Sequence, residues 1–107
     1  MLISDNRPSA LCATNNDLVS GVWLAIKEAK IKVPKDLSVA TFDFHHPPTF
    51  TLEDPFFTMA SFSGYDMGTQ AMELLLKRIR KELKSDFEEI ILPTTIVINR
   101  STAPYSG

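Results

Sequence analysis

The chain begins with a short apolar run and continues into a longer amphipathic stripe. Residues 9–14 are apolar or small, and this run stops at Asn15, Asn16 and Asp17, residue types that favour turns and helix caps. The pattern predicts a buried strand that leads into a helix. Over residues 17–30, apolar side chains recur at spacings of three and four, which is typical of one helical face: Leu18, Val22, Ile26 and Ala29.

The segment after this helix completes a common structural unit. Val33 and Pro34 are predicted to end the helix, because proline lacks an N–H donor and the residue before it avoids the helical region. Residues 37–42 form a second short apolar run, which predicts another strand. A strand, a helix and a strand within about 35 residues are typical of a right-handed βαβ unit with parallel strands.

The second half of the chain predicts further elements of the same kind. Residues 43–55 are polar and rich in proline, which favours a loop or crossover, and residues 56–62 are predicted to be extended. Residues 64–83 carry a second helical stripe: Met67, Ala71, Leu74, Leu75, Ile79 and Leu83. Residues 90–92 and 95–99 are β-branched and strand-like, and the proline between them predicts an edge position or a kink. The predicted fold class is α/β with a parallel sheet.

Composition and charge narrow the function classes. The sequence has 107 residues, of which 44% are hydrophobic and 22% charged, and this usage excludes disordered, collagen-like and coiled-coil classes. The formal net charge is -2 and no block of like charge occurs. We therefore do not expect this chain itself to bind a phosphate backbone, which requires a clustered basic face.

Cysteine use and hydropathy suggest a compartment. Cys12 is the one cysteine, so no intrachain disulfide can form, and its place within an apolar run predicts a small buried side chain. No apolar run approaches the length of about 18 residues that a membrane span needs, and no charged and then apolar leader follows Met1. We expect a cytoplasmic protein that does not enter a membrane.

Two polar clusters follow the two predicted strands. Residues 15–17 (Asn-Asn-Asp) come after the first strand, and Asp43 with His45 and His46 comes after the second. In an open parallel sheet, ligands collect outside the carboxyl ends of the strands, where helix N-termini and loops meet. Because parallel neighbours place both clusters at one edge, their amide and carboxylate groups are suited to hydrogen-bond the hydroxyls or amines of a small polar ligand.

Each cluster also has a simpler interpretation. Residues 15–17 (Asn-Asn-Asp) are more simply explained as a helix N-cap, which stabilises a helix by about 1 kcal/mol. Asp43 is equally explained as the residue that closes a turn. His45 and His46 suggest zinc, but adjacent histidines point apart on extended chain and no further ligand completes a known spacing. We therefore expect no metal and no cofactor. No catalytic triad, phosphate-binding loop or dinucleotide fingerprint occurs.

Six short motifs occur in a family-specific order. They are residues 7–11 (RPSAL), 33–39 (VPKDLSV), 42–43 (FD), 55–59 (PFFTM), 65–68 (YDMG) and 92–101 (LPTTIVINRS). In this order and at these spacings they resemble the C-terminal part of the lactose-repressor and galactose-repressor (LacI/GalR) family of bacterial transcription regulators. The resemblance covers nearly the whole chain.

The resemblance implies a type I periplasmic-binding-protein-like fold, in which two α/β lobes close on a small sugar or purine-like effector. It implies that this chain is only the C-terminal portion of the effector-binding and dimerisation domain. Residues 1–57 and 92–107 would belong to the distal lobe and residues 58–91 to the proximal lobe. Operator DNA would be bound by a homodimer through an N-terminal helix-turn-helix headpiece that these residues lack.

The resemblance also suggests roles for single residues. The effector-contacting Asn of the family matches Asn15 in an ungapped alignment and Asn16 when a deletion is allowed. Asp43 matches an Asp that commonly holds a ligand hydroxyl, although Phe44 follows it here in place of a second Asp. Phe62 stands where the family often has a Gln that reaches toward the effector, so an aromatic ring would replace an amide at this position.

The main hypothesis is an effector-binding part of a transcription regulator, which is not an enzyme. Two other function classes are alternatives to it. A small independent α/β enzyme, a hydrolase or phosphotransferase, would use Asp43 with His45 and His46. A secreted sugar-binding protein of the same fold would carry a signal peptide. If the chain is only part of two lobes, we also expect the helix over residues 64–83 to leave apolar surface exposed, so that the isolated chain associates.

Overall fold

A computed structural model describes residues 6–45 and 55–106 of the chain. Predictions that fall on residues 46–54, including the role of His46, lie outside the described residues. The helices and strands are, in order, β1 (Ala10–Ala13), α1 (Asn16–Glu28), β2 (Ser38–Phe42), β3 (Thr58–Ser61), α2 (Gly64–Ile79) and β4 (Thr95–Val97).

The strands form one sheet with the order β1-β2-β3-β4. β1 pairs with β2 in parallel, and β2 pairs with β3 in parallel, while β4 runs antiparallel to β3. The predicted βαβ unit and the α/β fold class are therefore confirmed, with a sheet that is mostly parallel. The antiparallel direction of β4 was not predicted, since a run of β-branched residues carries no information about strand direction.

The core lies on the sheet face that α1 covers. Leu11 pairs with Val39 and Ala13 with Thr41, so these side chains share one face, and all but the half-buried Leu11 are buried. The buried hydrophobic residues form one cluster: Ala13, Val19, Ile26, Leu37, Val39, Phe44 and Phe57.

The buried face of α1 differs from the predicted stripe by one position. Val19 and Ile26 are buried, whereas Leu18, which was predicted to be on the apolar face, is 50% exposed. Val22 and Trp23 pack against the same core. The spacing of Val19, Val22, Trp23 and Ile26 is also helical, and a residue next to Val19 is rotated by about 100° around the helix axis. Both faces fit the sequence pattern, and packing against β1 and β2 selects one.

Both helices end in a Schellman motif rather than at a proline. Lys30 has a φ of 56°, and its N–H donates to the Lys27 carbonyl at 3.2 Å. The Ile31 N–H donates to the Ile26 carbonyl at 3.1 Å, which completes the motif after α1. Lys81, with a φ of 59°, occupies the same position after α2.

These motifs correct the predicted helix ends. α1 ends at Glu28 and not at residue 30, and the prediction that Val33 and Pro34 end it is wrong. α2 ends at Ile79, although its apolar pattern continues to Leu83. In each case a lysine adopts the left-handed conformation, which composition does not indicate because glycine and asparagine are the usual residues at this position.

Cys12 is exposed, so the prediction of a buried thiol is wrong. β1 lies at the edge of the sheet, and its side chains alternate between the covered face and the opposite one. Ala13 points into the core at 3% exposure, and Cys12 therefore points to the other face. A short apolar run cannot distinguish a strand buried on both faces from one buried on a single face.

Strand structure in the C-terminal segment is shorter than predicted. Residues 90–92 form no strand, and β4 covers Thr95–Val97 rather than residues 95–99. Beyond β4 the chain is held by separate side-chain and backbone hydrogen bonds instead of a regular ladder. Asn99 donates through its backbone N–H to the Thr58 hydroxyl at 2.9 Å and through Nδ2 to the Phe57 carbonyl at 2.8 Å.

The chain divides into two compact units. The first contains Met1–Ser61 and Thr95–Gly107, and the second contains Phe62–Thr94. In the second unit α2 has no buried residue, and most of its apolar side chains are exposed, as predicted for this helix. In the part of the chain that the structure describes, no helix is long and apolar enough to cross a membrane.

Candidate functional site

Parallel pairing brings the two predicted polar clusters to the same edge of the sheet. The β1–β2 register runs from Ala10 with Ser38 to Ala13 with Thr41, so both strands end at the same level. α1 begins at Asn16, soon after β1, and Asp43 directly follows β2. We call Asn15, Asn16, Asp43 and His45 the carboxyl-edge cluster.

Asn15 is the N-cap of α1. Its backbone is extended, with a φ of -151°, and its side-chain oxygen accepts a hydrogen bond from the Leu18 N–H at 2.9 Å. The capping interpretation is therefore confirmed, and it satisfies one of the free amide donors of the first turn. The Asn15 Nδ2 group makes no hydrogen bond within residues 6–45 and 55–106. Asn15 thus caps the helix with one end of its amide and keeps a donor at the other.

Asn16 joins the start of α1 to the segment after β2. Its Oδ1 atom accepts from the His45 N–H at 3.1 Å, and its Nδ2 atom lies 3.4 Å from the His45 carbonyl oxygen. Both ends of the amide are therefore used by the main chain of His45. Of the two asparagines, Asn16 positions the main chain of His45, and Asn15 keeps a free polar atom.

Asp43 occupies a sharp turn at the end of β2. Its φ of 47° lies in the left-handed region, and its N–H donates to the Ala60 carbonyl at 2.7 Å. The interpretation of Asp43 as a turn residue is thus supported, since Asp tolerates this conformation better than most side chains. The turn leaves its carboxylate 26% exposed, with Oδ2 3.5 Å from Nε2 of His45, whose side chain is 79% exposed.

Phe44 points away from this edge and into the core. It is 4% exposed, and its ring meets the Phe57 ring edge-on with centroids 5.2 Å apart. Trp23 and Phe56 extend the same aromatic cluster, each with its centroid within 5.6 Å of the Phe57 ring. Phe44, which stands in place of a second Asp, therefore anchors the turn in the core, while the Asp43 carboxylate remains partly exposed.

Phe62 and His46 are the remaining residues for which the sequence predicted a role. Phe62 is the first residue of the second unit and is half-buried. Its proposed contact with an effector stays a prediction. His46 lies outside the described residues. Among residues 6–45 and 55–106, no three His, Cys, Asp or Glu side chains are grouped so that they could hold a metal ion.

A groove of about 390 Å³ lies at the opposite, amino edge of the sheet. Two of its polar groups are already used, because the Ser38 hydroxyl accepts from the Ala103 N–H and the Asp36 carboxylate accepts from the Lys32 N–H. None of the predicted ligand residues lines it. The groove is lined by Ser9, Ala10, Pro34, Lys35, Asp36, Ser38, Thr102, Ala103, Pro104, Tyr105 and Ser106.

Ser101 is a structural residue to which the sequence pattern assigned no role of its own. It is fully buried, its hydroxyl accepts from the Thr58 N–H at 2.8 Å, and the same hydroxyl donates to the Val39 carbonyl. Its backbone also receives the Val39 N–H at 2.9 Å and donates to Phe56 at 3.0 Å. Ser101 therefore holds β2 and β3 together. Its place in the last of the six motifs was the one available signal.

The family of the chain follows from its match to known proteins. A model of the periplasmic binding protein-like domain matches residues 1–102. The chain belongs to this family. It is 35% identical over 101 residues to the HTH-type transcriptional repressor PurR of Histophilus somni (strain 2336), a match that covers 94% of this chain. It is 29% identical to the lactose operon repressor of Rhizobium radiobacter, over 91% of this chain and 82% of that protein.

Solved structures of LacI-family regulators have the same fold. The crystal structure of a LacI family transcriptional regulator from Enterococcus faecium with bound ribose has a TM-score of 0.75 and 27% identity. The match covers 95% of this periplasmic-binding-protein-like chain and 37% of the Enterococcus faecium chain. The resemblance to the lactose and galactose repressors and the expected fold are confirmed.

This periplasmic-binding-protein-like chain is short beside its relatives. It spans 29% of the length of the PurR repressor that it matches. The relatives are transcriptional repressors, and the matched region is a periplasmic binding protein-like domain.

Proposed function

We propose that the chain is part of the effector-binding domain of a cytoplasmic LacI-type transcription regulator, and that it binds a small polar effector without chemical turnover. The observation that supports this most directly is the carboxyl-edge cluster. The parallel β1–β2 pair places the N-terminus of α1 beside Asp43. The Oδ1 atom of Asn16 accepts a hydrogen bond from the His45 N–H at 3.1 Å and so fixes the main chain just after Asp43. This is the edge at which open parallel sheets bind ligands.

Within this cluster we propose different roles for the two asparagines. The free Nδ2 of Asn15 would donate to the effector, and the carboxylate of Asp43 would accept from an effector hydroxyl or amine. Asn16 would contribute by positioning, since both ends of its amide already bond to His45. Phe62 would add an aromatic surface, as its place in the family pattern suggests.

The effector would be a sugar or a purine-like molecule. The relatives suggest both ligand classes. One is named a PurR repressor and another a ribose operon repressor, and the Enterococcus faecium structure contains bound ribose. We further propose that residues 1–57 and 92–107 belong to one lobe and residues 58–91 to the other. The parent regulator would bind operator DNA as a homodimer through a headpiece.

Calorimetric titration tests this proposal. The purified chain is titrated with monosaccharides, nucleosides and sugar phosphates, and each mixture is assayed for products. We expect saturable binding without turnover. Asp43→Asn, which keeps the size of the side chain, should weaken binding by about tenfold or more because the hydrogen bond to a charged acceptor is lost.

A matched variant and two contrary results complete this test. Lys35→Ala lies at the amino edge of the sheet and should bind like the parent chain. Turnover that depends on Asp43 and His45 would instead support the hydrolase or phosphotransferase alternative. Saturable binding that is the same in the parent and Asp43→Asn would show that the ligand binds elsewhere.

A further inference from the structure

His45 is held in a defined place although its side chain is exposed. Its N–H donates to Asn16 Oδ1 at 3.1 Å, and its carbonyl oxygen lies 3.4 Å from Asn16 Nδ2. The main chain of His45 is thus tied to the first residue of α1. Its imidazole is 79% exposed and stands beside the Asp43 carboxylate, with 3.5 Å between Nε2 and Oδ2.

The contact between these two side chains leaves most of their hydrogen-bonding capacity free. A separation of 3.5 Å is longer than the range of about 2.7 to 3.2 Å for a well-formed hydrogen bond. A carboxylate accepts about four hydrogen bonds, and an imidazole carries at least one N–H donor. A contact of this length, in which the imidazole is mostly exposed, contributes little to stability. The pair is therefore better suited to meet a ligand than to support the fold.

The two groups differ in what they offer to a ligand. Asp43 only accepts hydrogen bonds when it is ionised, whereas the imidazole of His45 donates through N–H. A hydroxyl group can do both. Two hydroxyls on neighbouring carbons would therefore fit the pair, one donating to Asp43 and the other accepting from His45.

We infer that His45 is a ligand-contacting residue that, together with Asp43, selects effectors with two neighbouring hydroxyl groups. This inference rests on the proposed function, because it concerns the same carboxyl-edge cluster. It adds a residue whose role the family resemblance does not supply, and it names the chemical feature that the site recognises. Ribose, other sugars with neighbouring hydroxyls, and ribonucleosides carry this feature.

Paired probes that differ by one hydroxyl test the inference. The purified chain is titrated with methyl β-D-ribofuranoside against methyl 2-deoxy-β-D-ribofuranoside, and with adenosine against 2′-deoxyadenosine. The parent chain should bind the diol member of at least one pair more tightly. His45→Leu should weaken binding of that member by about three- to tenfold and leave its deoxy partner unchanged, because only the diol loses a hydrogen bond.

Two further variants separate the role of the donor from general effects. His45→Gln keeps a side-chain N–H and should recover part of the preference for the diol. Lys35→Leu makes a similar change at the opposite edge of the sheet and should bind like the parent. Circular dichroism and urea midpoints of all variants should match the parent, since the His45 side chain is exposed.

A measurement on the unaltered chain does not depend on how any variant folds. In a long-range proton–nitrogen spectrum, the Nε2 resonance of His45 should move on saturation with the diol probe and stay in place with the deoxy probe. The inference would be overturned if His45→Leu kept the diol preference of the parent, or if the Nε2 resonance did not move on addition of the diol probe. Neither result would contradict the proposed function. Absence of saturable binding for every sugar and nucleoside would overturn both.

Discussion

Ser101 shows at the residue scale how one buried hydroxyl can hold two strands together. It accepts from the Thr58 N–H and donates to the Val39 carbonyl at 0% exposure. Ser101→Ala would leave both backbone groups without a partner, so we expect the free energy of unfolding to fall by about 1 to 3 kcal/mol. Urea unfolding followed by circular dichroism measures the change.

The same substitution at an exposed serine provides the comparison for Ser101. Ser20 is exposed on α1, and Ser20→Ala should change the free energy of unfolding by less than about 0.5 kcal/mol. If Ser101→Ala proved as mild as Ser20→Ala, the buried hydrogen bonds would not contribute as their geometry indicates.

The backbone of Lys30 adopts an unfavourable left-handed conformation just after the end of α1. Its φ of 56° is unfavourable for any residue with a Cβ atom, and glycine adopts it freely. Lys30→Gly should therefore raise the free energy of unfolding by about 0.5 to 1 kcal/mol, after the larger entropy of the unfolded glycine chain is subtracted. Chemical denaturation gives the value.

Lys27 serves as the partner variant for Lys30, because it lies in the last turn of α1 with ordinary helical geometry. Lys27→Gly should lower the stability by about 1 kcal/mol. Opposite signs for the two glycine substitutions are the specific expectation, and a loss of stability in both would contradict the left-handed conformation of Lys30.

At the scale of the elements, the N-terminus of α1 combines a structural role with a ligand role. Asn15→Ala removes the cap and should cost about 0.5 to 2 kcal/mol, whereas Asn15→Ser keeps an oxygen that can accept from Leu18. Asn15→Ser should therefore keep the urea midpoint of the parent chain and lose affinity for the effector, because it has no Nδ2 donor. Titration and unfolding of the two variants separate these roles.

An Asn15→Ser variant that binds the effector as tightly as the parent would remove Asn15 from the site and leave only its capping role. Asn16→Ala provides a useful contrast at the neighbouring position. It should weaken binding through the loss of both bonds to His45, while the cap at Asn15 stays in place.

At the scale of the whole molecule, exposed apolar side chains predict association. Tyr65 is 83% exposed, Met72 55% and Ile79 66%, all on α2. Large exposed apolar patches usually mark surfaces that bind another protein surface. We expect the sedimentation coefficient of the chain to rise with concentration, and the double variant Met72→Lys and Ile79→Lys to reduce this rise.

A change of equal charge at other exposed positions tests whether the α2 surface is responsible. Ser20→Lys combined with Ser106→Lys adds the same charge outside α2 and should leave association as in the parent chain. A compact monomer at every concentration would contradict the prediction. The division of the chain after Ser61 and Thr94 marks two units, and their identity with two lobes stays a prediction.

The sequence alone determined the order and type of the main elements and the family. The apolar runs before Asn15 and before Asp43 predicted β1 and β2, and the helical stripe between them predicted α1, because burial on one face imposes a period on the chain. The motifs around residues 33–43 and 92–101 indicated the LacI-type resemblance. The cap at Asn15 was also open to prediction, since its hydrogen bond to Leu18 spans three positions. A turn at Asp43 was open to prediction from its residue type, because Asp favours turns.

Only the tertiary structure decided which atoms are free for a ligand and which support the fold. Asn15 and Asn16 are identical residues in sequence, and their roles differ because the pairing of β1 with β2 brings His45 to Asn16 across 29 positions. Cys12 is exposed and Ser101 is buried for the same kind of reason, since strand neighbours and helix cover are set by distant segments. Local pattern carries the period of burial, whereas the partner of each polar group depends on how remote parts of the chain meet.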